Sequence, residues 1–196
     1  MYRIRYEGGV NSAEQQAIEQ WVPKMLDTVV KAALSVGDGV ITRWFGDDAR
    51  PSGAAYGDFD GKRKKMSDYV LNRCQVITFV KKVYGKKVDG AEVEQGDFAQ
   101  VIRSCFGADP SGFTPSGVRI YVLGSGLINQ DAHERFNTIT HELSHRVIGT
   151  TDAPGGKMVY GKRKALSLAT KSSAEAVICA ENWGYFYQEV LERMPA

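Results

Sequence analysis

Apolar and polar positions along this chain follow two periods, and the changes between them mark its elements. Near the start, Ile18, Trp21, Met25, Val29 and Ala33 recur at helical intervals, after Ser12 and Gln15 at the spacing of a capping box. Pro23 falls inside that stripe and predicts a kink or two shorter helices, with Gly37 closing the segment. The Gly- and Asp-rich stretch 36–62 reads as a long connection carrying Trp44, Phe45 and Gly46. A second helix is expected over 67–84, where Tyr69, Val70, Arg73, Ile77 and Val80 stay in step and Gly85 lies beyond.

The period then shortens to two. Val118, Ile120 and Val122 alternate with Arg119, Tyr121 and Leu123, a strand bounded by Gly117 and Gly124 and preceded by the turn-rich FGADPSGFTPSG. A helical stripe returns in HERFNTITHELSHRVIG, with Phe136, Ile139, Leu143 and Val147 on one face and Gly149 as its stop. Ser172 and Glu175 have the spacing to cap a final helix that runs to about Met194. No internal repeat or low-complexity linker divides the chain, so residues 1–196 are expected to form one domain.

Composition narrows the classes without naming one. At 43% apolar and 24% charged residues the chain matches ordinary globular proteins, not disordered or fibrous ones. Lys and Arg total 25 against 23 Asp and Glu, a net charge of +2 that gives no footprint for nucleic acid. The basic runs at 62–65 and 162–164 accordingly read as solvated faces. No apolar run is long enough for a membrane span, and the start MYRIRYEGGV lacks the apolar stretch of a secretory signal. Cys74, Cys105 and Cys179 are an odd set without CxxC spacing, read as buried small hydrophobes unless one pair bridges outside a reducing compartment.

One pentapeptide carries chemistry. His141-Glu142-Leu143-Ser144-His145 is an HExxH sequence inside the stripe of a predicted helix, so both imidazoles face one side one turn apart. Two neutral imidazoles at that spacing can share a Zn²⁺, and Glu142 beside the first can take a proton from a water that the metal acidifies. A catalytic zinc needs a third protein ligand and an open position. His133, eight residues before His141, lies about 12 Å away along a helix and is too far. Asp152 just past the Gly149 stop can be turned back to the metal, and Glu175 and Glu181 on the last helix are the alternatives.

HELSHRVIGTTD resembles the aspzincins, the deuterolysin and peptidyl-Lys metalloendopeptidase family, whose HExxH is followed by a GTxD element. RWFG at 43–46 looks like that family's WFG segment, and AENWGYF at 180–186 like its ADNYEYF-type helix, so the likeness spans roughly 32–191. The resemblance implies an α+β zincin-like metallopeptidase domain with an HExxH helix, a small sheet and flanking helices. It implies one catalytic Zn²⁺ on His141, His145 and Asp152, Glu142 as general base and Tyr160 as donor to the tetrahedral oxyanion. Seven residues, APGGKMV, separate Asp152 from Tyr160 where the family has two. Of the two acids tied to lysine selectivity in some members, Glu181 remains as a substrate-binding candidate and Gly184 stands at the other position, which weakens a lysine preference.

The expected activity is zinc-dependent endopeptidase hydrolysis of protein or peptide substrates. The alternative is a zinc-stabilised binding or toxin module without turnover. Lacking a signal peptide and the disulfide cysteines of secreted fungal relatives, the chain looks like a bacterial member delivered by a secretion system as an effector or toxin. That reading implies an inhibitor or immunity protein as a partner. The strand at 118–123 is a candidate to accept the substrate backbone as an added strand.

Overall fold

The structure is a computed structural model that describes residues 3–7, 10–73, 76–82, 87–88, 91–92, 99–100, 117–123 and 131–194. Parallel pairing of distant segments builds its sheet. Strand β1 (Arg3–Glu7) pairs with β2 (Val76–Lys82), and β2 pairs in turn with Gly117–Leu123, both parallel. Two short strands, β3 (Lys87–Val88) and β4 (Ala91–Glu92), form a separate antiparallel pair. Strand β5 (Ala99–Gln100) adds antiparallel to the outer side of β6 (Gly117–Leu123), giving the order β1-β2-β6-β5.

The strand expected at 118–123 is present as β6, but it lies inside the sheet, with β5 covering Tyr121 and Val122. Its expected role as acceptor of a substrate strand is therefore corrected. Among the described residues β5 forms that edge, next to the helix that carries the HExxH sequence.

The helices supply the core. α1 (Ser12–Leu34) is capped one residue earlier than the spacing predicts, by Asn11, whose side chain accepts from the Glu14 N–H while Glu14 returns a bond to Asn11. Pro23 neither breaks nor divides it. A helix-interior proline costs about 3 kcal/mol. Ile18, Val22, Met25, Leu26 and Val29 are all buried on the same helix, and each such side chain returns roughly 1.5–3 kcal/mol on burial.

The stretch expected as a long connection is largely helical. α2 (Asp38–Phe45) places Val40, Ile41, Trp44 and Phe45 on one buried face, and α3 (Tyr56–Asp68) buries Phe59 and Met66. The helix expected over 67–84 is corrected: after a single wide turn at Tyr69–Arg73 the chain becomes β2. VITFV is rich in β-branched residues, and pairing on both sides outweighs the helical coincidence of Ile77 and Val80. The basic run at 62–65 departs from a solvated face at Arg63, which is buried and donates to the Ala32 carbonyl at 2.9 Å while pairing with Asp60.

Three further helices follow α4 (Ala132–Ile148): α5 (Lys162–Lys171), which the periodicity did not reveal, α6 (Ser173–Val177) and α7 (Ala180–Arg193). Ser172 does accept from the Glu175 N–H, but the helix it caps stops at Val177 and the chain breaks at Ile178 and Cys179 before α7 begins. α7 is the hub. Trp183, Phe186 and Tyr187 interlock with Phe45 and Phe59, with the Phe45 ring 4.7 Å from Trp183 and 4.8 Å from Phe59. Among the described residues the most extensive helix contact is α4 against α7. Among the described residues no helix is long and apolar enough to cross a membrane. Cys179 is free and buried, as expected for a small hydrophobe, whereas Cys74, Cys105 and the FGADPSGFTP turn segment lie outside the described residues.

Candidate metal centre

The local sequence of α4 fixes where its imidazoles point. Asp131 caps the helix by accepting from the His133 and Glu134 N–H groups, and Gly149 ends it in the left-handed conformation at φ 68°. His141 and His145 therefore project one turn apart from the last turns of a helix whose other face, with Phe136, Ile139 and Leu143, is buried.

The turn after Gly149 is stitched at three points. The Thr150 hydroxyl lies 2.7 Å from that of Ser144. The Thr151 N–H donates to the Ile178 carbonyl at 2.9 Å, and the Ala180 N–H donates back to the Thr151 carbonyl at 3.1 Å. This short bridge at the α6–α7 break delivers Asp152 to the two histidines.

Asp152 Oδ1 lies 3.0 Å from His141 Nε2 and 3.1 Å from His145 Nε2, and the two Nε2 atoms are 3.2 Å apart. A tetrahedral zinc with bonds of about 2.0–2.1 Å separates its ligand atoms by about 3.3 Å. The chemistry of the donors makes the same point. His145 Nδ1 faces the Thr150 carbonyl at 2.9 Å and His141 Nδ1 faces Glu181 Oε2 at 3.1 Å. Both partners only accept, so both Nδ1 atoms carry the hydrogen and both Nε2 lone pairs turn towards Asp152. Asp152 Oδ1 is itself buried without a hydrogen-bond donor in good geometry. Three acceptors facing one another need a cation between them, a metal ion or a proton.

The electrostatics describe the proton's side of that competition. Burial disfavours a charged His141, yet the Asp152 and Glu181 carboxylates beside it prevail and push its pKa up to about 10. Burial likewise opposes charge on Asp152, and the two histidine rings nevertheless hold its carboxyl far below the ordinary carboxylate range. Among the described residues, His141, His145 and Asp152 form the group of side chains placed to hold a metal ion.

The remaining expected site residues are distributed around this triad. Glu142 is half-buried beside His141 on α4. Tyr160 is half exposed, with its ring stacked 6.5 Å from that of His141 at 20°. Burial raises its pKa to about 12, helped by the neighbouring Asp152, Glu142 and Glu181 carboxylates. The phenol thus keeps its proton at neutral pH.

The APGGKMV segment does not carry Tyr160 away, because the Val159 N–H donates to the Asp152 carbonyl at 2.8 Å and closes the loop on itself. Glu181 sits behind His141 and is 8% exposed, its Oε2 at His141 and its Oε1 accepting from the Gly161 N–H at 2.7 Å. The structure thus brings together His141, His145, Asp152, Glu142 and Tyr160, and turns Glu181 towards His141 instead of outward. Glu175 lies elsewhere, its carboxylate against the turn at Pro154–Gly156, so close that a Cβ at Gly155 would come within 2.9 Å of it. His133 is exposed, 3.7 Å from Glu192. Sequence reasoning matched Thr150 to the GTxD element without giving it a role, and passed over Ser144 and Thr151.

No protein-family model matches the chain, and no curated protein matches it. Among solved structures, a zinc peptidase from Grifola frondosa matches with a TM-score of 0.63 at 21% sequence identity. The match covers 91% of this chain and 96% of that one, so the fold is shared over nearly the whole of both.

Proposed function

We propose that this chain is a zinc-dependent endopeptidase with a zincin-like α+β fold. The observation that carries the reading is the convergence of His141 Nε2, His145 Nε2 and Asp152 Oδ1 as three acceptors within 3.2 Å of one another. The shared fold with a zinc peptidase and the aspzincin-like HELSHRVIGTTD sequence support the same ligand set.

Zinc held there would supply Lewis acidity to a scissile carbonyl and bring a water's pKa towards 7. Glu142, beside His141, would act as the general base, taking a proton from the attacking water and returning it to the leaving amine. The Tyr160 hydroxyl, kept protonated by burial and by its carboxylate neighbours, would donate to the developing oxyanion. The Glu181 carboxylate and the Thr150 carbonyl, facing the Nδ1–H groups of His141 and His145, hold the two imidazoles in place.

The test is casein hydrolysis by the wild type, by Glu142→Ala and by a chelated sample, with bound zinc counted in each. Cleavage by the wild type alone, with one equivalent of zinc retained by Glu142→Ala, is the expected result. Equal inertness of all three with zinc still bound would make the chain a zinc-held binding module. Asp152→Ala should abolish tight zinc binding, and retention of it would overturn this ligand set.

A further inference from the structure

We propose that Glu181 is a positioning residue that ties the orientation of the metal ligand His141 to the placement of Tyr160, and that it does not meet substrate. The first half of the link is the 3.1 Å contact of Glu181 Oε2 with His141 Nδ1. A carboxylate only accepts, so it fixes the His141 tautomer with Nδ1 protonated and leaves Nε2 free for the metal.

The second half is the 2.7 Å bond from the Gly161 N–H to Oε1. That N–H belongs to the peptide group joining Tyr160 to Gly161, at the start of α5 where Gly161 has φ 87°. Tyr160 is thereby held on both flanks: the Val159 N–H is anchored on the Asp152 carbonyl and the Gly161 N–H on Glu181. An aromatic residue half exposed at the end of a long loop needs such anchors to keep its hydroxyl at the site.

The same contacts leave little for a ligand from solution. Glu181 is 8% exposed and both its oxygens are engaged within the protein. A substrate ammonium could reach it only by displacing the ligand contact or the Gly161 bond. One turn further along α7, Gly184 offers no acid, and a Cβ there would stand 3.1 Å from the Asn137 carbonyl oxygen on α4. Neither position on this helix presents a carboxylate to a lysyl side chain.

The Tyr160 half of the link rests on the peptidase reading, whereas the His141 half does not, and the experiment separates them. Glu181→Gln and Glu181→Ala would be compared with the wild type in the full chain, by zinc affinity against a competing chelator and by imidazole ¹⁵N spectra. The expected result is a loss of roughly 10–100-fold in zinc affinity for both variants, with a mixed His141 tautomer in Glu181→Gln. Glutamine keeps one acceptor oxygen and cannot serve both partners. At saturating zinc, kcat on peptides should fall while KM and the pattern of cut sites stay unchanged.

Unchanged zinc affinity together with an unchanged tautomer would overturn the proposal. So would a rise in KM confined to lysyl peptides with kcat intact, which would make Glu181 a substrate acid. A wild type that binds zinc but cleaves no peptide would end the peptidase reading, while the affinity and tautomer measurements would still decide the link to His141. If Glu181→Ala fails to fold, the near-isosteric Glu181→Gln carries the same comparisons.

Discussion

Replacing Gly184 by alanine is a small change whose sign depends on how closely α4 and α7 approach. In a helix interior, Gly→Ala stabilises by about 1 kcal/mol through propensity and unfolded-state entropy. At Gly184 the added Cβ would lie 2.9 Å from Asn137 Oδ1 and 3.1 Å from both its Cγ and its backbone oxygen. The amide tip can turn aside, but the carbonyl belongs to α4 and yields only if the helix shifts by a few tenths of an ångström. Overpacking of that kind costs typically 1–3 kcal/mol. The net effect at Gly184 is then a loss of about 0–2 kcal/mol.

Gly61 in α3 is the control, because nothing lies within 4 Å of a Cβ there and the propensity gain is undiluted. Urea unfolding of Gly184→Ala and Gly61→Ala in chelator should move the midpoints in opposite directions, about 1–3 kcal/mol apart at equal m. Repeating the titration with zinc adds a functional readout. Asn137 precedes His141 by one turn of α4, so Gly184→Ala should also weaken zinc binding, whereas Gly61→Ala should not. Equal stabilisation of both variants would refute the tight α4–α7 contact and the link from it to the ligands.

Further measurements follow from the site's charges and from the core. In metal-free protein, the raised pKa of His141 contributes stability that is complete below its ordinary 6.5 and is lost as pH rises towards about 10. Metal must displace that proton, so apparent zinc affinity should rise about tenfold per pH unit across the same window, and a pH-independent affinity would show that His141 carries no such proton. Asp152, held low, contributes with the opposite sign, and chelated protein should lose that stability only as pH falls below the ordinary 3.8. In the core, Glu189 accepts from the buried Trp44 Nε1–H at 2.7 Å and pairs with Arg43 and Arg193. Glu189→Ala orphans that indole and should cost about 1–3 kcal/mol in unfolding experiments, with Glu189→Gln recovering part of it; equal losses in both variants would assign the effect to the arginine pairs.

What the sequence makes legible here is local, and what it hides depends on partners far along the chain. HExxH and its Gly149 stop need only helix geometry and one left-handed residue, so α4 and its two histidines can be read directly. Asp152 is two residues past that stop, close enough for the GTxD pattern to suggest its return. Position 181 is different, because its contacts come from α4 on one side and from the start of α5 on the other, and no spacing within AENWGYF encodes either. β2 misleads for a related reason. Tyr69, Val70, Ile77 and Val80 fit a helical stripe, and only pairing with β1 and β6, strands distant in sequence, turns VITFV into a strand. α2 is masked by its composition, since the glycines and aspartates around it suggest a loop although Val40, Ile41, Trp44 and Phe45 already mark one helical face.

The seven residues between Asp152 and Tyr160 show why a change in loop length need not disturb a site. Lengthening a connection from two residues to seven raises its closure entropy by only about 1 kcal/mol. Within this loop Val159 is 6% exposed and Pro154 is also buried, and burying a valine side chain returns roughly 1.5–3 kcal/mol by itself. The Val159–Asp152 bond and the bond from the Ala153 N–H to the Thr151 hydroxyl, at 2.8 and 3.2 Å, add to it. The loop therefore stands on its own contacts, with its two ends one hydrogen bond apart. Tyr160 leaves from the far end, against Asp152, as it would from a short connection. Among the extra residues Lys157 and Met158 are exposed, so substitutions there should leave the anchors of the tyrosine intact.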